Sequence, residues 1–356
     1  MDLPGIPLDA GVAGAYAYSL LSAPAIVTYA REFADGLCLP ARYRDGDPDT
    51  AEVRREVPRY VDACLDSDSG SVRAAAEAVA RRLGRNLGYI LLTLHRGDAV
   101  NRTARADWSA SEWSHWATIR RIWLGGGVLS GGLGRRLLDH SRALLAEFGG
   151  DDMPIIAITS HPRDMVLLGA VRYLPLQSGA AICCDFGQTG VKRALVRLDQ
   201  GHIVEFHRLP TLPVVWPWRN APDAARGIVA EAVRDFFVTT ISRTLQESRD
   251  AGHPPVAETM LSVAAYVRGG ELLGNGMYEQ VMALTGDVRD VRILLADALA
   301  LRGDRVRIHV IHDGTAAAAF HAGEERSAVL VVGTAIGVGF PPPTDSGMRP
   351  LTVLEG

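Results

Sequence analysis

Two short segments each bring a carboxylate to the end of an apolar strand, where it could do phosphate chemistry. In CDFGQTGVKRALV, residues 184–196, the strand ends at Asp185, and Gly187 and Gly190 bracket the turn that follows. Glycines in such a hairpin let a phosphate approach the backbone amides. A carboxylate at that position can hold a hydrated Mg²⁺. An ordinary β-hairpin with an exposed Asp explains the same residues.

The second carboxylate is Asp313, in the segment VIHDGTAAAAF, residues 310–320. An apolar strand leads to Asp313, and Gly314 and Thr315 open a helix directly after it. A carboxylate placed there is a candidate general base for a substrate hydroxyl. A simple helix N-cap is the alternative interpretation.

Two further segments combine an apolar strand with a glycine turn. VVGTAIGVGF contains Gly333, Thr334 and Gly337, and IWLGGGVLSGG contains Gly125–Gly127. Three consecutive glycines permit flat contact between the backbone and a ligand such as a purine ring. Plain glycine turns are the alternative. A Rossmann turn fits less well, because GGGVLSG does not match GxGxxG and no acidic residue ends a following strand.

The periodicity of the chain places these segments on a regular α/β framework. The pattern predicts helices over 70–97, 132–148, 163–173, 223–250 and within 286–302, and strands over 120–128, 154–159, 258–267 and 306–313. From residue 179 it predicts a three-strand meander, with a turn at 199–202. The first half is therefore helix-rich, and the second half continues as βαβαβ, so we expect two α/β lobes.

Composition excludes several classes of function. The chain has 356 residues, a net charge of −4 and 22% charged residues, which favours neither nucleic acid nor an anionic membrane as a partner. Its longest apolar runs are too short for a membrane span, and no signal-peptide pattern is visible. The four cysteines, at positions 38, 64, 183 and 184, are predicted to be buried thiols in a reducing compartment, so we expect a cytoplasmic protein.

Taken together, these motifs resemble the ROK family of sugar kinases and repressors, in the actin/hexokinase superfamily. DFGQTGVKRALV resembles that family's first phosphate motif, DxGGTxxxxxLV, and VVGTAIGVGF resembles its second, GTGIGxG. HDGTAAAA is similar to its catalytic NDANAAA, RIWLGGGVLSGG to its IVLGGGVS segment, and VLLGAVRYL to its closing LxGAAxL. His312 stands in place of the usual Asn, Ala335 replaces a glycine, and the family's cysteine-rich zinc motif is absent.

The resemblance implies a two-lobed actin/hexokinase-like (ribonuclease H-like) α/β fold with an interlobe cleft. The order of the motifs is swapped, which circular permutation explains. Residues 1–178 would correspond to the family's C-terminal lobe and 179–340 to its N-terminal lobe, with 341–356 returning to the first lobe. We expect strand 181–186 to pair with 191–198, and that strand with 202–209, in a sheet that does not include 120–128.

The resemblance also implies an ATP- and Mg²⁺-dependent kinase for a hydroxyl of a sugar, amino sugar or cyclitol. Asp313 would be the general base, and Asp185 would hold Mg²⁺ through water. The predicted nucleotide ligands are Gly187, Gln188, Thr189, Lys192, Gly333, Thr334, Gly337, Gly125, Gly126 and Gly127, and the predicted substrate contacts are Asn275, His312, Asp313 and Glu355. The segment 265–280 is interpreted either as a substrate loop or as a plain connector. A homodimer is compatible with the assignment to a sugar kinase.

Other functions of the same fold stay open. A non-catalytic sensor of a sugar or nucleotide would use the same fold without transferring phosphate. The first 70 residues show no basic recognition helix of the kind a repressor would need. An ATPase or an acyl-transfer accessory protein is a third interpretation.

Overall fold

The computed structural model of the chain describes residues 1–214, 226–274 and 276–351. These residues form an α/β protein that separates into two compact units. Unit 1 comprises Met1–Met165 and Glu324–Phe340, and unit 2 comprises Val166–Gly323 and the segment from Pro341 onward. No helix in the described ranges is both long and apolar enough to cross a membrane.

The helices of the described residues concentrate in the first half of the chain, as predicted. In chain order they are α1 Ala17–Leu20, α2 Ala23–Glu32, α3 Ala34–Leu37, α4 Ala41–Arg44, α5 Ala51–Cys64, α6 Gly70–Arg96, α7 Ala99–Arg102, α8 Ala110–Thr118, α9 Gly132–Phe148, α10 Met165–Val171, α11 Arg226–Asp250, α12 Val291–Ala300 and α13 Asp313–Ala319. The bounds of α6, α9 and α11 agree with the periodicity of the sequence.

The strands of the described residues form three sheets. They are β1 Arg121–Gly125, β2 Ile155–Ile158, β3 Gly179–Phe186, β4 Gly190–Asp199, β5 His202–Pro213, β6 Val256–Val263, β7 Tyr266–Arg268, β8 Glu271–Leu273, β9 Arg307–His312, β10 Ser327–Val332 and β11 Ile336–Gly339. Their orders are β11-β10-β1-β2, β5-β4-β3-β6-β9 and β7-β8. The strand predicted over 258–267 is thus two strands, β6 and β7.

Unit 1 has one hydrophobic core shared by its helices and its four-stranded sheet. In that sheet β1 lies between β2 and β10, parallel to both, and β11 is antiparallel to β10. Helix α6 packs closely on α9 at Gly84, where an added Cβ would lie 2.5 Å from the carbonyl oxygen of Leu137. The glycine therefore sets how near the two helices can come.

Unit 2 contains the predicted meander. Strands β3, β4 and β5 are antiparallel neighbours, while β6 and β9 extend the sheet in parallel with β3. The predicted pairing of β3 with β4 and of β4 with β5 is therefore confirmed, and β1 lies in a different sheet, as expected. Helices α11 and α12 connect β5 to β6 and β8 to β9, and their apolar residues belong to the core of this unit.

Several boundaries differ from the predicted ones. Strands β10 and β11, which we expected in the 179–340 lobe, belong to unit 1 because β10 joins the sheet next to β1. The segment after Phe340, expected to return to the first lobe, stays with unit 2, where Arg349 donates to the carbonyl of Leu174 at 2.9 Å. Residues 166–178 also belong to unit 2. Cys38 is exposed, whereas the other three cysteines are buried as predicted.

Candidate active site

The predicted general base Asp313 and the predicted Mg²⁺ ligand Asp185 lie at one edge of the sheet in unit 2. Strands β3, β6 and β9 are parallel neighbours, and in their register Asp185 is paired with Ser262 and Val263 with His312. Because parallel strands end at the same edge, Asp185, Ser262 and Asp313 are brought to one place. This edge is the usual location of ligand sites in open α/β sheets.

Asp185 is almost fully buried and both of its carboxylate oxygens are hydrogen-bonded. Its Oδ2 accepts from the Lys192 ammonium at 2.7 Å, and its Oδ1 accepts from the Ser262 hydroxyl at 3.1 Å. Lys192 lies directly opposite Asp185 in the β3–β4 register. It is also the single lysine among the 356 residues, in a chain otherwise rich in arginine. One compact ammonium is thus held at the predicted phosphate hairpin.

Asp313 begins α13 and is placed to act as a base near neutral pH. Its Oδ1 accepts from the Gly314 amide at 2.7 Å and lies 3.2 Å from His312 Nε2. Burial, and to a smaller extent the negative charge of Asp185, raise the pKa of Asp313 to about 7, although the Gly314 amide and Lys192 act in the opposite direction. A carboxylate with such a pKa matches the operating range of a general base.

His312 is the N-cap of α13. Its Nδ1 accepts from the Thr315 amide at 3.3 Å, which leaves Nε2 to carry the proton and face Asp313. Burial lowers the pKa of His312, so the imidazole is neutral at physiological pH. Its ring also stacks on Tyr266, with ring centroids 4.8 Å apart. Both nitrogens thus have contacts within the protein, and the predicted sugar contact of His312 stays a prediction.

A hydrogen bond from a buried tyrosine holds the backbone of the predicted phosphate hairpin in place. The Gly187 amide donates to the carbonyl of Gly190 at 3.2 Å, which closes the turn, and Gln188 is exposed at its tip. The buried Tyr278 hydroxyl donates to the carbonyl of Gly187 at 2.7 Å. Anchored in this way, the turn has a fixed backbone, in which the Gly187 amide is already hydrogen-bonded within the turn.

The two other glycine turns meet within unit 1. Gly125 and Gly337 flank Val331 on either side in the sheet, so the turns after β1 and β10 are neighbours. The Gly126 amide donates to the carbonyl of Pro162 at 2.7 Å. The carbonyl of Gly333 accepts from the Ala23 amide at 2.8 Å, at the start of α2. The structure thus groups Gly125–Gly127 with Gly333, Thr334 and Gly337.

Gly126 and Gly127 should respond differently to alanine. Gly126 has a φ of +107°, and an added Cβ would lie 2.2 Å from the carbonyl oxygen of Val332. We expect Gly126→Ala to lower the free energy of unfolding by at least about 2–3 kcal/mol, because both the backbone and the packing are strained. Gly127 has nothing within 4 Å of that position, so Gly127→Ala should change it by less than about 0.5 kcal/mol.

Chemical denaturation of the two variants measures this difference. Equal stabilities would contradict the close approach of Gly126 to β10. Because Gly127→Ala leaves the fold intact, it also tests the predicted adenosine contact. A raised KM for ATP in that variant would support the contact, and an unchanged KM would remove Gly127 from the nucleotide ligands.

Two predicted substrate contacts have no described position, and three residues of the site were not predicted. Asn275 and Glu355 lie outside the described residues. Ser262, Tyr266 and Tyr278 were not predicted from the sequence, although the last two lie in the 265–280 segment, which was interpreted either as a substrate loop or as a plain connector. Ser262 precedes the last residue of an apolar strand and carried no distinguishing signal.

No model of a known protein family matches the chain, and no curated protein matches it.

Proposed function

We propose that the protein is an ATP-dependent phosphotransferase that phosphorylates a hydroxyl of a sugar, amino sugar or cyclitol. One observation carries the proposal. The edge of the unit 2 sheet holds an Asp–Lys pair beside a glycine hairpin, together with a second carboxylate whose pKa is about 7. Phosphoryl transfer needs charge neutralisation, positioning and a base, and these residues can supply all three.

In the proposed reaction Asp313 accepts the proton of the acceptor hydroxyl. The hydroxyl oxygen forms a bond to the γ-phosphorus of ATP, and the bond from that phosphorus to the bridging oxygen breaks, so that ADP leaves with the electron pair. The products are a phosphate monoester, ADP and a protonated Asp313. Its pKa of about 7 lets the side chain release this proton to solvent before the next cycle.

The residues at Asp185 fit a hydrated Mg²⁺ that accompanies ATP. The Asp185 carboxylate already faces a cation, because the Lys192 ammonium lies 2.7 Å from Oδ2. Within the ranges that the structure describes, no three His, Cys, Asp or Glu side chains are grouped as a metal site. One carboxylate is sufficient for Mg²⁺, which keeps several waters and takes further ligands from phosphates. When bound, the ion would neutralise charge on the phosphates.

The topology of unit 2 supports the proposed fold. A meander followed by two parallel crossover strands is the arrangement that the sequence pattern from residue 179 predicted, and it is compatible with the α/β fold that the resemblance implies. The proposal includes circular permutation, because the motifs follow one another in swapped order. Asp313 favours a kinase over a non-catalytic sensor, since a carboxylate at the end of β9 with a raised pKa is suited to act as a general base.

The single lysine allows a direct test of nucleotide binding. Lys192 is partly exposed, with 26% of its side chain accessible, so a small amine reagent can reach it. We expect Mg-ATP at ten times its Kd to slow reductive methylation of Lys192 about tenfold, because the bound fraction is protected. Peptide mass spectrometry reports the modification at this one site.

Adenosine without phosphates is the matched control, and it should leave the labelling rate unchanged. An unchanged rate in saturating Mg-ATP would contradict the assignment of Lys192 to the phosphates. Protection by adenosine alone would instead indicate that the base, not the phosphate, lies near this side chain.

A further inference from the structure

One segment that stands out in the sequence has no part in the proposed reaction. It is VLLGAVRYL, residues 166–174, which forms most of α10 and the turn after it. The apolar side chains of α10 are buried on all sides, and none is more than 3% exposed. One side of the helix lies on β3, where the Cys183 thiol donates to the carbonyl of Leu167 at 3.6 Å. Another side lies on α13, the helix that begins at the proposed base.

Helices α10 and α13 touch through their backbones. At Gly169 an added Cβ would lie 1.9 Å from the carbonyl oxygen of Ala316 and 2.9 Å from the amide nitrogen of Phe320. Ala316 to Ala319 are all fully buried, so α13 has only small side chains along this stretch. The contact leaves no space for a further atom, and closely packed interiors transmit a displacement. Glycine at 169 therefore sets how near α13 lies to α10.

Arg172, the residue directly after α10, holds the other end of α13. Its Nη1 donates to the carbonyls of Ala319 at 2.6 Å and Phe320 at 3.3 Å. Its Nε donates to the carbonyl of Arg349 at 2.7 Å. The last carbonyls of a helix have no partner within the helix, so Arg172 satisfies groups that would otherwise lack one. Contacts from α10 and its C-terminal turn thus fix α13 at two points.

From this geometry we propose that α10 sets the position of the base, with Gly169 and Arg172 as positioning residues that act on Asp313 through α13. The inference rests on the proposed function, in which Asp313 accepts the proton of the acceptor. Asp313 is the first residue of α13, and its carboxylate accepts from the Gly314 amide at 2.7 Å. The carboxylate therefore moves with the first turn of the helix, which ends at Ala316. A misplacement of about 1 Å at a reacting group can cost about 10²-fold in rate.

The test compares Gly169→Ala with Gly84→Ala, its matched control in unit 1. Each substitution places a Cβ against a carbonyl oxygen of a neighbouring helix, 1.9 Å from Ala316 and 2.5 Å from Leu137. Both should lower the melting temperature. At saturating Mg-ATP only Gly169→Ala should lower kcat per folded molecule, by about 10–100-fold, because only α13 carries the base. Its KM for Mg-ATP should not change. An equal loss of kcat in the two variants would overturn the proposal.

Arg172→Met displaces α13 less and keeps the proposal testable if Gly169→Ala does not fold. We expect kcat to fall about three- to tenfold, and Arg172→Lys to restore part of it, because an ammonium also donates to the carbonyl of Ala319. Arg142→Met is the control, since it removes a donor to the carbonyl of Ile156 in unit 1 and should leave kcat unchanged.

Crystal structures of wild type and Gly169→Ala separate this proposal from the proposed function. We expect α13 to be displaced, with the Asp313 carboxylate moved by about 0.5–1 Å relative to Asp185. Such a displacement in a protein that transfers no phosphate would support the positioning role and contradict the kinase. Phosphate transfer with the wild-type kcat in both Gly169→Ala and Arg172→Met would support the kinase and overturn the positioning role. An α13 that stays in place while α10 moves would also overturn it.

Discussion

Replacement of Asp313 by Asn is expected to lower turnover by about 10²–10⁴-fold while Mg-ATP still binds, because the variant keeps the size of the side chain and loses the base. Steady-state kinetics with a cyclic acceptor and a binding measurement for Mg-ATP check the two parts. Near-full turnover in Asp313→Asn would contradict the assigned role. Loss of ATP binding together with turnover would instead place Asp313 among the nucleotide contacts.

The pH dependence of wild-type activity and the thermal stability of Asp313→Asn provide two further checks on the role of Asp313. Wild-type kcat/KM should fall about tenfold per pH unit below the pKa of Asp313, about 7, because only the deprotonated carboxylate accepts a proton. The folded protein holds this proton more tightly than the unfolded chain, so the carboxylate destabilises the fold increasingly as pH rises from about 4 to 7. Asp313→Asn should therefore melt no lower than wild type at pH 8, and any gain should disappear near pH 4.

The second large effect is expected at Asp185. Asp185→Ala should lower turnover by about 10²–10³-fold and leave the protein folded, because it removes the carboxylate that would hold Mg²⁺ at the phosphates. Added Mg²⁺ should restore part of the activity if the carboxylate holds the ion. A Mg²⁺ titration and a melting curve measure both. Asp199→Ala is the control, since Asp199 is an exposed carboxylate at the end of β4. A lower melting point with unchanged activity per folded molecule would refute the metal role.

Two substitutions should move the acid limb of the pH profile in opposite directions. The charge of Asp185 raises the pKa of Asp313, so Asp185→Ala should shift the limb to lower pH. Lys192 lowers the pKa of Asp313, so Lys192→Met should shift it to higher pH. A general loss of structure would not shift the acid limb to lower pH in one variant and to higher pH in the other. Shifts in the same direction would contradict the electrostatic coupling of these three side chains.

Much of unit 2 could be predicted because its pairings are local. Strands β3, β4 and β5 follow one another through short turns, and α11 is long enough for its period to be clear. The pairing of β10 with β1 could not be predicted, because the apolar run of a buried parallel strand does not indicate its partner. For this reason residues 327–339 were assigned to the second lobe, whereas the chain already returns to unit 1 at Glu324.

The site residues that could be predicted from the sequence are those that lie at the ends of strands. Asp185 and Asp313 follow apolar runs, and the edge they share follows from the parallel pairing of β3, β6 and β9. Contacts between side chains far apart in sequence could not be inferred. Tyr278 supports the hairpin at Gly187, and nothing in its own segment indicates that contact. The glycine triplet also has mixed roles, because Gly126 is required by packing and only Gly127 faces open space.

The central claim is the transfer of phosphate to a hydroxyl, and one measurement tests it most directly. The protein is incubated with Mg-ATP and a panel of hexoses, amino sugars and cyclitols, and acceptor-dependent ADP release is measured alongside the ³¹P NMR signal of a phosphate monoester. We predict that at least one acceptor raises ADP release above the acceptor-free rate and yields the monoester, and that Asp313→Asn does neither. ADP release that no acceptor increases, or a monoester formed equally by Asp313→Asn, would contradict the account.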